Sequence, residues 1–160
     1  MDAWHDFLVA EVGASAALAG LIFVGVSISL DEIVRYPHLV LRAAAALVLL
    51  VSTLIVASVL LAPLPSDNVA GALVTGVGAI GWLLVAALGV SGARRAPAQF
   101  RRAAWVAAVL AQLAIIPLVI AGIMLVVTGA NGLYWLLAGV MMCFVVALAD
   151  GWVLLVETHR

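Results

Sequence analysis

Five predominantly apolar runs, each more than twenty residues long, leave this chain little choice of environment. They are Phe7 to Leu30, Leu39 to Ala62, Val69 to Gly92, Ala103 to Thr128 and Leu133 to Val156. A helix needs about 20 apolar residues to cross a hydrocarbon core of roughly 30 Å. In such a core every backbone N–H and C=O must be paired within the protein, which leaves helices and closed barrels. A barrel would alternate lipid-facing and lumen-facing residues, and these runs do not alternate. The breaks between them are the expected ones: Asp31-Glu32, Tyr36-Pro37-His38, Pro63-Leu64-Pro65-Ser66-Asp67-Asn68, Arg94-Arg95 and Gly129-Ala130-Asn131-Gly132. Composition agrees. The chain is 68% hydrophobic and 9% charged, with a mean hydropathy of +1.33, where soluble domains run about 45–50% apolar and about 25% charged. The reading is an all-α, polytopic integral membrane helix bundle of about five transmembrane helices, one domain over residues 1–160.

Arginine sets the orientation, because the chain has no lysine. With the N-terminus outside and the C-terminus cytoplasmic, Arg35, Arg42, Arg94, Arg95, Arg101, Arg102 and Arg160 all fall inside. That is the division the positive-inside rule favours. Trp4, Tyr134 and Trp135 then sit at the outer interface and Tyr36, Trp105 and Trp152 near the inner one, as an aromatic belt requires. Trp82 alone is mid-span. The start, Met1-Asp2-Ala3-Trp4-His5-Asp6, is acidic, unlike the basic start of a secretory signal peptide. The lysine-free Ala/Val/Leu/Gly/Arg bias suits a bacterial cytoplasmic (inner) membrane.

Small residues mark the expected packing faces. The first run holds Gly13/Ala17, Ala16/Gly20 and Ser15/Ala19 pairs, and the third carries Gly71, Gly76, Gly78, Gly81 and Gly89. In lipid such faces let backbones approach and associate by van der Waals contact. They place the first helix inside a bundle, with packing within one subunit and self-association both open. A bundle this small encloses little by itself, so a pathway would form around a symmetry axis, giving a homo-oligomer.

An ionisable residue within a span is a site hypothesis by default. Glu11 lies roughly 6–8 Å in from the outer end, and Asp150 about 9 Å from the inner end. Arg42 enters the second run at a depth that suits pairing with Asp150, and Asp31, Glu32 and Arg35 would extend this into a cytoplasmic-side charge cluster. Glu11 has no arginine on its side. His5, the serines or water are its candidate partners. Glu11, Ser15, Leu18, Ile22, Gly25 and Ser29 recur at helical spacing along one face. Such a stripe would give a pathway an acidic mouth, a hydroxyl ring at Ser15, an apolar constriction at Leu18 and Ile22, and Ser29 at the exit. Serines in such helices also simply bond the carbonyl four residues back. In the fourth run Gln112 and Pro117 fall near midplane, where the proline frees the Leu113 carbonyl, as a packed kink, a hinge or an ion site.

Other chemistries lack their residues. His5, His38 and His159 are scattered, so neither a metal site nor haem is expected, and Cys143 reads as a small core residue. No phosphate loop or nucleophile elbow occurs, so neither an enzyme nor a cofactor is expected. A net charge of −1 gives no case for nucleic acid. The partners expected are the lipid bilayer, further copies of the chain and other membrane subunits. Two functional expectations stand. One is a small oligomeric membrane channel or passive transporter for cations or protons. The other is a non-catalytic accessory or scaffold subunit of a larger membrane complex. The topology is testable in a Cys143→Ala background. Asp2→Cys should react with an impermeant maleimide added outside intact cells, and Arg101→Cys only after permeabilisation. Labelling of both from one side would break the odd-span arrangement.

Overall fold

Each helix begins and ends where its local chemistry requires. The computed structural model describes residues 2–28 and 35–157, which form five long α-helices and no strand. They are α1 (Asp2–Ile28), α2 (Pro37–Leu61), α3 (Asp67–Arg95), α4 (Arg101–Thr128) and α5 (Leu133–Glu157), with a 3-10 turn at Gly129–Gly132. Proline opens α2, where its missing N–H costs nothing, and Pro63 follows its end. Ser66 caps α3 by accepting from the Val69 N–H, Asp67 lies in its first turn and Arg94 and Arg95 in its last, matching the helix dipole. Gly129, at φ 66°, supplies the left-handed backbone that stops α4.

By length and composition, four stretches among the described residues can cross a membrane: Trp4–Ile28, Pro37–Leu61, Asp67–Arg95 and Arg101–Leu154. The last spans 54 residues and contains α4, the 3-10 turn and all of α5 as far as Leu154. The outward surface is what such a solvent demands: Leu21, Phe23, Ile28, Val127 and Val145 are all exposed.

Successive helices run antiparallel, as their cross-contacts require. The start of α3 meets the end of α4 (Gly71 beside Gly122) and the end of α3 meets the start of α4 (Gly89 beside Ala108). Gly92 of α3 approaches His38 of α2, and Gly139 of α5 approaches Leu118 of α4. Helices α2 to α5 thereby close a four-helix bundle, with α2 touching α3, α5 and α1. Its interior is filled by Leu49, Leu50, Ile115 and Leu118, none of which is exposed at all.

The glycines of α3 fix how closely this bundle closes. A Cβ at Gly71 would sit 2.8 Å from the Gly122 carbonyl, and one at Gly78 would sit 3.1 Å from the Val119 nitrogen. The two backbones are therefore in direct contact, which only a missing side chain permits. Helix α1 differs from expectation. It lies at the edge of the bundle on α2, with lighter contact to α5, and not inside it. Gly13, Ala16, Ala17 and Gly20 face outward, and a Cβ at Gly13 or Gly20 would meet nothing within 4 Å. The reason is polar: α1 turns Glu11 and Ser15 toward α2, which points its small-residue pairs the other way. Gly78→Leu should therefore cost about 1–3 kcal/mol of overpacking, read as unfolding in bicelles. Gly20→Leu should stay within about 0.5 kcal/mol of the parent.

Candidate functional site

Helix α2 carries the polar chemistry of the bundle on one face. Arg42, Ala46, Leu49, Leu50 and Thr53 follow helical spacing and all turn inward. Thr53 and Arg42 are eleven residues apart, about 16 Å along the helix. Each anchors a separate polar contact, and the residues of this face between them, Ala46, Leu49 and Leu50, are apolar.

At the upper contact, near the start of α1, Glu11 is 3% exposed and Ser15 and Thr53 are fully buried. The Ser15 hydroxyl lies 2.6 Å from Glu11 Oε1 and 2.9 Å from Thr53 Oγ1, and the Thr53 hydroxyl lies 2.8 Å from the Leu50 carbonyl. Glu11 is thus enclosed by α2, where sequence left open an acid reached by water. Its partners are the two hydroxyls, while His5 is exposed. Three oxygen–oxygen contacts run from Glu11 to the Leu50 carbonyl, yet two hydroxyls carry two protons. With Glu11 ionised, Ser15 donates to the carboxylate and Thr53 to the carbonyl, and the Ser15–Thr53 contact holds no hydrogen. With a proton on Glu11, each group donates to the next and all three contacts are filled.

At the lower contact, Arg42 Nε donates to Asp150 Oδ1 at 2.7 Å, joining α2 to α5. Asp150 is 4% exposed, so its charge has the guanidinium as a neighbour in place of water. The short, charge-assisted bond is what makes two charges tolerable at that depth. A cleft of about 60 Å³ opens beside this pair, lined by both residues, by His38 and by an alanine-rich wall of α4.

The remaining candidates are spread out. Leu18 and Ile22 pack with Ala46, Leu50 and Ala147 in an apolar cluster, so within one subunit their stripe meets side chains and not a lumen. Gln112 donates from Nε2 to the Trp82 carbonyl of α3 at 3.3 Å, and its buried Oε1 has no partner in the described structure. Pro117 is buried within α4. Close by, the Cys143 thiol donates to the Ala114 carbonyl at 3.4 Å. Arg35 is exposed at the Arg42 end. Ser29, Asp31 and Glu32 lie outside the described residues. Among the described residues no three His, Cys, Asp or Glu side chains are grouped to hold a metal.

Thr53 was missed by sequence reasoning. Its signal was present, since it lies on the face of α2 that Arg42 marks, three turns further on. No protein-family model, curated protein or solved structure matches the chain. The Arg42–Asp150 bond makes its own prediction. Asp150→Asn leaves the half-buried Arg42 without a counter-charge and should cost about 1.5–3 kcal/mol, whereas the double variant Arg42→Met/Asp150→Leu should recover nearly all of it. A double variant as unstable as Asp150→Asn would show that the pair does more than neutralise itself.

Proposed function

We propose that the chain is a small, non-enzymatic membrane channel or passive transporter that carries protons, or small cations in their place, through Glu11. The observation that carries this reading is the proton count at Glu11, Ser15 and Thr53. The buried carboxyl, two hydroxyls and a carbonyl form a chain that is complete only when Glu11 holds a proton. Such a chain closes when Glu11 takes up a proton and opens between Ser15 and Thr53 when the proton leaves. A cation would replace the proton against the same oxygens, since carboxylates and hydroxyls are its natural ligands.

The apolar stretch between Thr53 and Arg42 is the barrier in this reading. Leu49, Leu50 and Ala46 fill it completely, so passage requires its transient hydration, as in gating by dewetting. Five crossings, with the N-terminus outside and the C-terminus cytoplasmic, are part of the proposal. A single helix of 54 residues would reach about 81 Å, far beyond one bilayer. The α5 helix instead folds back along α4 at Gly132 and Gly139. The arginines flanking the His38 end support this orientation by the positive-inside rule and suit a bacterial cytoplasmic membrane.

A second reading is favoured by the open face of α1. Gly13, Ala16, Ala17 and Gly20 would let another helix approach closely, as in a homo-oligomer or an accessory subunit docked on a larger membrane complex. Flux of H⁺, K⁺, Na⁺ and Cl⁻ through purified protein in liposomes separates the readings. Glu11→Gln keeps a side chain that can donate to Ser15, so the fold should survive while proton flux falls at least about tenfold. Equal flux in the variant would remove Glu11 from the pathway. A folded, inserted wild type without flux would favour the accessory subunit.

A further inference from the structure

We propose that the cleft at the Arg42 end binds an anionic phospholipid from the surrounding leaflet, its phosphate against Arg42 and an acyl chain along α4. Four independent features converge there. First, the cleft lies between the starts of α2 and α4 and the end of α3, with Asp150 of α5 at its floor. Its volume of about 60 Å³ is room for a few water-sized groups, which suits headgroup oxygens at Arg42 with the acyl chain lying along the open side of the cleft.

Second, the polar end presents donors. Arg42 spends only Nε on Asp150, and its guanidinium carries five N–H groups in all. Asp150, the carboxylate lining the cleft, is the one that Arg42 already neutralises. Third, the two helices that begin at the cleft have no side-chain caps, at Tyr36 for α2 and Phe100 for α4. First-turn residues of both, His38 and Ala103, line it, so two positive dipole ends converge on an anion held there. Arg94, Arg95, Arg101 and Arg102 stand exposed next to the lining residues Ala93, Phe100 and Ala103. These four charges add a positive contribution near the mouth.

Fourth, the wall is wrong for a free anion and right for a lipid. Beyond Phe100 it runs from Ala103 to Ala111 on α4, about 12 Å along the helix. Ala104, Ala107, Ala108 and Ala111 make it a shallow apolar trough facing Val85 and Leu88 of α3. Phe100 and Ala103 at its rim are exposed, so an inserted chain can leave sideways into the bilayer. Basic pockets between membrane helices at a leaflet surface hold phosphate headgroups by this combination.

The test is a titration of protein purified in neutral detergent with dioleoyl phosphatidylglycerol, dioleoyl phosphatidylcholine or inorganic phosphate. It reads the thermal midpoint, and bound lipid by native mass spectrometry. Phosphatidylglycerol should raise the midpoint and leave a one-to-one adduct, while the other two do neither. Ala107→Leu fills the trough and keeps every arginine, and should weaken that binding about tenfold. Should that variant fail to fold, Arg42→Lys keeps a cation for Asp150 but loses the planar fork, and should weaken binding similarly. Equal effects of phosphatidylcholine would overturn the headgroup assignment. A full effect of phosphate alone would make this an anion site without a lipid. Binding unchanged in the folded variants would reduce the attraction to the exposed arginines.

Discussion

Inside a bilayer a polar side chain has no solvent to fall back on, and this architecture follows from where each one finds a partner. Helix α2 supplies both answers. Its Thr53 turns toward α1 and its Arg42 toward α5, so two neighbours are rotated to bring Ser15 and Asp150 inward. Apolar packing then fills the remaining volume, because hydrocarbon gives Leu49 or Ile115 little reason to prefer protein over lipid. Directional contacts choose the rotation of a helix, and close packing holds it there. The glycine contact between α3 and α4 is the complementary case, in which shape alone achieves what hydrogen bonds do elsewhere.

Much of this was legible in the amino-acid sequence. Each of the five helices overlaps one apolar run, because helix is the form that long apolar segments must take without water. The Arg42 and Asp150 side chains meet where charge balance at similar depth suggests. Gly71, Gly78 and Gly89 of α3 lie against α4, where they permit close approach. Gly81 also meets Ser52 of α2, and a Cβ at Gly76 would meet nothing within 4 Å.

What was not legible depends on rotation. Glycine and alanine pairs in α1 mark a face on which a helix can pack, and say nothing of whether it does. Glu11 and Ser15 compete for the inward direction, and an acid that must leave lipid outweighs a modest packing preference. The same ambiguity hid Thr53. Threonine is common in membrane helices and often bonds its own backbone, as Thr53 does with Leu50. Only the approach of Ser15 from another helix turns it into part of a longer chain. Gln112 shows a further limit: its contact with the Trp82 carbonyl depends on how α3 and α4 mesh, which spacing within α4 cannot reveal.

The Arg42–Asp150 bond has a consequence for how the protein is made. Its two halves lie 108 residues apart in the chain, so a ribosome adding about 5–20 residues per second delivers Asp150 roughly 5 to 20 seconds after Arg42. For that interval α2 holds a guanidinium that its final partner has not yet reached, and lipid headgroups or the insertion machinery must shelter it. Arrival of α5 ends the wait. Helix α5 is thus the element that brings α2 its lasting counter-charge, and closure of this contact waits on its synthesis.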